Sequence, residues 1–148
     1  MIVCRSSVEI EKLRRVNQLV ARILAELRTM VTPGVTTKEI DASAEALVRK
    51  AGAEPAFKGY HGYPATVCAS INEQVVHGIP SARRLVEGDV LSLDMGAKLD
   101  GFFGDCAVTL PIGRVVGPDD IARLALHLMT NTAFTGATLD IDGGQQLI

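Results

Sequence analysis

Apolar residues recur at three- and four-residue intervals in the first third of the chain and at every second position further on, which predicts two helices followed by strands. Ile10, Leu13, Val16, Val20, Leu24, Leu27 and Val31 form one stripe of helical period. Ser6-Ser7-Val8-Glu9 ahead of that stripe reads as a capping box, and Pro33-Gly34 closes the helix. A second helix starts at Thr36 with Glu39 three residues on, buries Ile40, Ala44, Leu47 and Val48, and stops at Gly52. Neither helix can cover its own stripe, so both need a sheet or another partner. After Pro55 the period changes to two. Ala65, Val67, Ala69 and Ile71 alternate with Thr66, Cys68 and Ser70, the pattern of a half-buried strand. Asn72-Glu73 and Glu87-Gly88-Asp89 mark turns on either side of Val75, Val76 and His77-Gly78-Ile79-Pro80. Helix, helix, then antiparallel strands predicts an α+β layer rather than alternating βαβ units.

Two further strand-like runs carry one acid each. Asp94 lies in Val90-Leu91-Ser92-Leu93-Asp94-Met95-Gly96-Ala97, and Asp105 follows Phe102-Phe103-Gly104. Lys98-Leu99-Asp100-Gly101 folds one run back on the other. If all four residues form the loop, the two aspartates stand directly opposite. A two-residue loop at Asp100-Gly101 makes them diagonal neighbours on the same face. In both registers the carboxylates converge, and like charges at that range destabilise a sheet unless a cation lies between them or one takes a proton. A divalent ion is the natural solution, because hard cations prefer carboxylate oxygens. The plainer alternative is that one of the pair is a solvated residue on an exposed face.

Composition narrows the choices. The 148 residues allow one domain with a real core. With 15 basic and 17 acidic residues, a net charge of −2, there is no electrostatic footprint for nucleic acid or an anionic membrane. Cys4, Cys68 and Cys106 are odd in number and not at zinc-ligand spacing, and residues 1–7 lack the apolar core of a signal peptide. These features predict a cytoplasmic protein. No stretch approaches the roughly 18 uninterrupted apolar residues of a membrane span.

The run Gly59-Tyr60-His61-Gly62-Tyr63-Pro64, then Val67-Cys68-Ala69-Ser70-Ile71-Asn72-Glu73, then Val76-His77-Gly78-Ile79-Pro80 resembles the signature region of type I methionine aminopeptidases. Asp94 and Gly104-Asp105 stand at that family's spacing, and Pro33-Gly34-Val35-Thr36-Thr37 is similar as well. The similarity covers about residues 3–115. It implies part of the pita-bread fold, with two N-terminal helices packed on an antiparallel sheet. It also implies a dinuclear metal hydrolase that removes the initiator methionine from N-terminal Met peptides and nascent polypeptides. By that resemblance Asp94 holds one metal through both oxygens, Asp105 bridges two, and the ions are Co, Mn, Fe or Zn. His77 matches a catalytic histidine that contacts substrate, and Tyr60, Tyr63 and Cys68 fall on or beside the pocket for the methionine side chain. On composition alone, His77 is more often a turn residue, the tyrosines equally core or edge aromatics, and Cys68 simple packing.

The chain also departs from the family. That family completes its metal site with one further histidine and two glutamates, whereas here no glutamate follows Glu87 and His127 is the one histidine after His77. Three of five ligands are thus missing, which predicts a truncated enzyme of weak or no activity. The alternative is a non-catalytic fragment or fusion product that at most binds a divalent cation or pairs with another chain. Residues 117–148 form a helix-strand tail: Pro118-Asp119-Asp120 opens a helix with Ile121, Leu124, Ala125 and Leu128, followed by Thr135-Gly136, an apolar strand and Asp142-Gly143-Gly144. This tail resembles the C-terminal end of short-chain dehydrogenases without their phosphate loop or catalytic pair. The expected division is therefore 1–116 and 117–148. An uncovered sheet edge predicts self-association.

Overall fold

The computed structural model describes residues 4–113 and 117–130. Helices α1 (Ser7–Arg28) and α2 (Thr37–Lys50) are followed by a short strand β1 (Glu54–Pro55) and a 3₁₀ turn at Tyr60–Gly62. Strands β2 (Val67–Ile71), β3 (Val90–Leu99) and β4 (Phe102–Pro111) come next, and helix α3 (Pro118–Thr130) is the last described element. Both expected capping boxes are formed. Ser6 Oγ accepts from the Glu9 amide at 3.3 Å while Glu9 Oε2 accepts from the Ser6 amide at 2.8 Å. Thr36 and Glu39 repeat the exchange at 3.2 and 2.8 Å. Helix α1 ends at Arg28, earlier than Pro33-Gly34 suggests, because the Thr29 hydroxyl donates to the Glu26 carbonyl at 2.7 Å and the chain turns there.

Strand β3 is the spine of an antiparallel sheet, with β1 and β2 along one side and β4 along the other. Leu99 pairs with Phe102, so the hairpin turns on Asp100-Gly101 alone. Both turn residues have positive φ, +52° and +81°, the backbone that a two-residue hairpin of this twist requires. Of the two registers the sequence allows, the diagonal one is realised.

Parity then separates the two faces of the sheet. Val67, Ala69, Ile71, Leu91, Leu93, Met95, Ala97 and Leu110 face α1 and α2 and join Val16, Val20, Ile23, Leu27, Ile40, Ala44 and Val48 in one core. Each large side chain among them contributes about 1.5–3 kcal/mol by leaving water. Helix α1 approaches β4 so closely that a Cβ on Gly104 would lie 2.9 Å from Val16 C and Asn17 N. The opposite face carries Cys68, Ser70, Ser92, Asp94, Gly96, Asp105 and Thr109. Strand β2 is buried on both faces rather than half-buried as its alternation suggests. Gly78 causes the difference, since its backbone is pressed against Ala69 and Ser70.

Helix α3 starts at Pro118, as the sequence predicts, and presents Ile121, Leu126 and Met129 to solvent. The strand, Thr135-Gly136 and Asp142-Gly143-Gly144 expected after it lie outside the described residues. No described helix is long and apolar enough to cross a membrane.

Candidate active site

Asp94 projects from the middle of β3, opposite Cys68 on β2 and Ala107 on β4. Asp105 stands opposite Gly96, two residues along from Asp94, and so points to the same side of the sheet. Side chains related in this way are within reach of one another. Burial first, then the Asp105 charge and a hydrogen bond between the two carboxyls, push Asp94 up to about 6, while His77 pulls in the opposite direction. The Asp105 backbone is steadied from behind, because its amide donates to Asn17 Oδ1 at 3.3 Å and Asn17 Nδ2 donates to the Leu13 carbonyl at 2.9 Å.

A cavity of about 690 Å³ opens over the pair. Cys68, Asp94, Gly96 and Asp105 form its sheet side, and Phe57, Tyr63, Pro64, His77, Ile79, Phe103, Tyr60 and His61 surround it. All six residues singled out in the sequence therefore line one space. Their circumstances differ. Tyr60 is 67% exposed and meets the His61 ring edge-on at 4.3 Å. The Tyr63 hydroxyl lies 3.0 Å from both the Val67 and Gly78 carbonyls, and burial chiefly pushes its pKa up. Its polar end is thus held by backbone, leaving the ring for the cavity. Burial also raises Cys68, with the charges of Asp94 and Asp105 acting in the same sense and the Tyr63 hydrogen bond opposing them. Cys68 thus stands on the sheet side of the cavity with its thiol pushed up by burial. His77 is exposed, with φ +58°.

His61 and Phe57 are among the lining residues that the sequence reading did not single out. His61 reaches the cavity because Gly59, His61 and Gly62 all take positive φ, at +87°, +46° and +82°. The flanking glycines are the signal that marks such a turn. Phe57 leans across β3 at Gly96, where a Cβ would come within 2.7 Å of its ring. Only tertiary structure reveals that contact.

The donor chemistry suits a hard divalent cation: two carboxylates converge in a partly desolvated place, where the Asp105 charge raises the cost of ionising Asp94. Among the described residues no group of three His, Cys, Asp or Glu is placed to hold a metal ion.

The sequence model of metallopeptidase family M24 matches residues 11–140. The chain belongs to that family. The match continues past Gly117, so α3 falls within it. Methionine aminopeptidase 1 of Bacillus subtilis is 44% identical over 119 residues, 80% of this chain and 48% of that protein. The methionine aminopeptidase of Clostridium acetobutylicum is 47% identical over 146 residues, 98% of this chain and 57% of that one. The crystal structure of methionine aminopeptidase from Rickettsia prowazekii superposes with a TM-score of 0.77 at 31% identity, covering 87% of this chain and 52% of that chain. The M24 chain thus shares the pita-bread architecture of these enzymes and spans about half the length of the curated relatives it matches. M24 is a metallopeptidase family, and dependence on divalent metal goes with membership.

Proposed function

We propose that this chain builds the substrate-facing part of a methionyl aminopeptidase site, with Asp94 and Asp105 as carboxylate ligands for divalent cations. The observation that carries the reading is the convergence of those two acids beneath a cavity large enough for a side chain and its peptide bond. Cations held there supply Lewis-acid polarisation of a peptide carbonyl. Co, Mn, Fe and Zn are the ions to test. The protein's own groups take three parts. Phe57, Tyr60, Ile79 and Phe103 offer an apolar lining for a flexible thioether side chain. The His77 ring, within electrostatic reach of Asp94, donates a hydrogen bond to the carbonyl oxygen of a bound peptide. The Tyr63 ring closes the wall while its hydroxyl is occupied elsewhere. Substrates on this reading are N-terminal Met peptides and nascent polypeptides in the cytosol.

Incubation with Mn²⁺ or Co²⁺ and a Met-Ala-Ser peptide tests the proposal. The expected result is weak, cation-dependent methionine release that disappears in Asp105→Ala.

A second reading rests on the fact that two carboxylates, rather than three or more donors, meet among the described residues. On that reading the chain binds a cation weakly and turns nothing over, or pairs with another chain along β4, whose one strand partner among the described residues is β3. Calorimetry showing Mn²⁺ binding without methionine release favours it. Absence of both sinks the first reading and the cation-binding form of the second, and sizing chromatography tests the pairing form.

A further inference from the structure

His77 hangs on its neighbour. The Gly78 amide donates to Ser70 Oγ at 3.0 Å, and the Gly78 carbonyl accepts from the Ala69 amide at 2.8 Å and the Tyr63 hydroxyl at 3.0 Å. Both polar groups of one residue are thereby bonded to β2 and the segment leading into it. The fit leaves no room for a side chain, since a Cβ on Gly78 would lie 2.4 Å from the Ala69 carbonyl oxygen and 2.7 Å from Ser70 Cα.

Ser70 is 4% exposed, in a strand of five buried residues. A hydroxyl sequestered there is costly unless it is used, and its recorded use is to receive the Gly78 amide. Immediately before this seat, His77 holds φ +58°, a left-handed backbone that costs a residue with a Cβ more than it costs glycine. The segment's other ties lie further away. Asn72 Nδ2 donates to Asp89 at 2.8 Å, and Thr37 Oγ1 accepts from the Ser81 amide at 2.9 Å.

We propose that Ser70 is a positioning residue for His77. Its hydroxyl, with the Ala69 amide and the Tyr63 hydroxyl, clamps Gly78 flat on β2 and so fixes the left-handed turn that delivers the imidazole to the cavity beside Asp94. The inference deepens the proposed function by giving that site's histidine its support. The clamp itself needs neither cation nor peptide.

The test follows the ring signals of the three histidines by NMR in the full chain labelled at histidine, with His77 identified by its loss in His77→Gln. Ser70→Ala should displace and broaden the His77 ring signal, and Ser70→Thr, which keeps a hydroxyl, should restore the wild-type position. Tyr63→Phe should move it in the same direction by less, because the Gly78 carbonyl retains the Ala69 amide. Thr37→Ala removes a buried hydroxyl of α2 that ties the same segment down at Ser81, and should leave the signal in place. If Ser70→Ala does not fold, Tyr63→Phe decides. An unmoved His77 signal in every folded member of that pair overturns the proposal, as does an equal displacement in Thr37→Ala. All measurements are made without added cation, so failure to bind Mn²⁺ counts against the proposed function alone.

Discussion

Asp105 stands opposite Gly96 rather than Asp94, so the two acids meet across a diagonal of the sheet with no side chain between them at position 96. Their mutual cost is what a cation relieves. Adding Mn²⁺ should therefore raise the melting temperature of the wild-type chain, and neither Asp94→Asn nor Asp105→Asn should respond comparably. Both variants should also melt no lower than the wild type in EDTA, since each removes one of two opposed charges. Differential scanning calorimetry with and without EDTA measures both effects, and an Asp105→Asn protein stabilised by Mn²⁺ as strongly as wild type would remove Asp105 from the site.

Gly104 is required by helix packing rather than by chemistry. Gly104→Ala places a Cβ against the α1 backbone at Val16 and Asn17, which must move apart from β4. A loss of about 1–3 kcal/mol is expected from such overpacking. The same displacement should loosen the Asn17 contact to the Asp105 amide. Urea unfolding gives the first quantity, and a melting curve unchanged from wild type contradicts the packing.

Asp89 is a structural acid. Burial alone would raise it, but the Val86 amide at 3.0 Å, the Asn72 side chain at 2.8 Å and the Arg83 guanidinium at 3.0 Å together hold it below the ordinary carboxylate value. Its contribution to stability is therefore complete above an unfolded value of about 3.8 and is lost as pH falls through the lower folded value. Asp89→Asn should cost about 1–3 kcal/mol at pH 7, and the deficit should shrink below pH 4. Unfolding midpoints at pH 7 and pH 3 measure it. A deficit that grows on acidification would reverse the assigned sign.

Tyr60 offers a test of the cavity that leaves the fold alone. At 67% exposure, with His61 as its ring contact, Tyr60→Ala should change stability by no more than about 0.5 kcal/mol. Binding of a Met-Ala-Ser peptide, read by calorimetry, should nevertheless weaken. Unaltered peptide affinity would place the methionine side chain elsewhere.

What could be read from the sequence was local or periodic. Ser6 with Glu9 and Thr36 with Glu39 announce their helices because each cap is complete within four residues. Strand β2 follows from the alternation of Val67, Ala69 and Ile71 with Cys68 and Ser70. The hairpin register remained a choice of two, because it depends on whether Asp100 accepts a left-handed backbone, and aspartate takes either conformation. The burial of β2 on both faces, the clamp on Gly78 and the reach of Phe57 over Gly96 were not legible. Each joins residues far apart in the chain through a close backbone approach that leaves no periodic trace.

The division of the sheet by parity has an evolutionary consequence. Odd positions of β3 answer to folding, while Asp94 and Gly96 among its even positions answer to the cavity, so drift at those two leaves the core set in place. A lineage can thus lose or exchange the acid at 94 while inheriting the scaffold intact, but deleting a single residue upstream in that strand would turn the wall inside out and forfeit both at once.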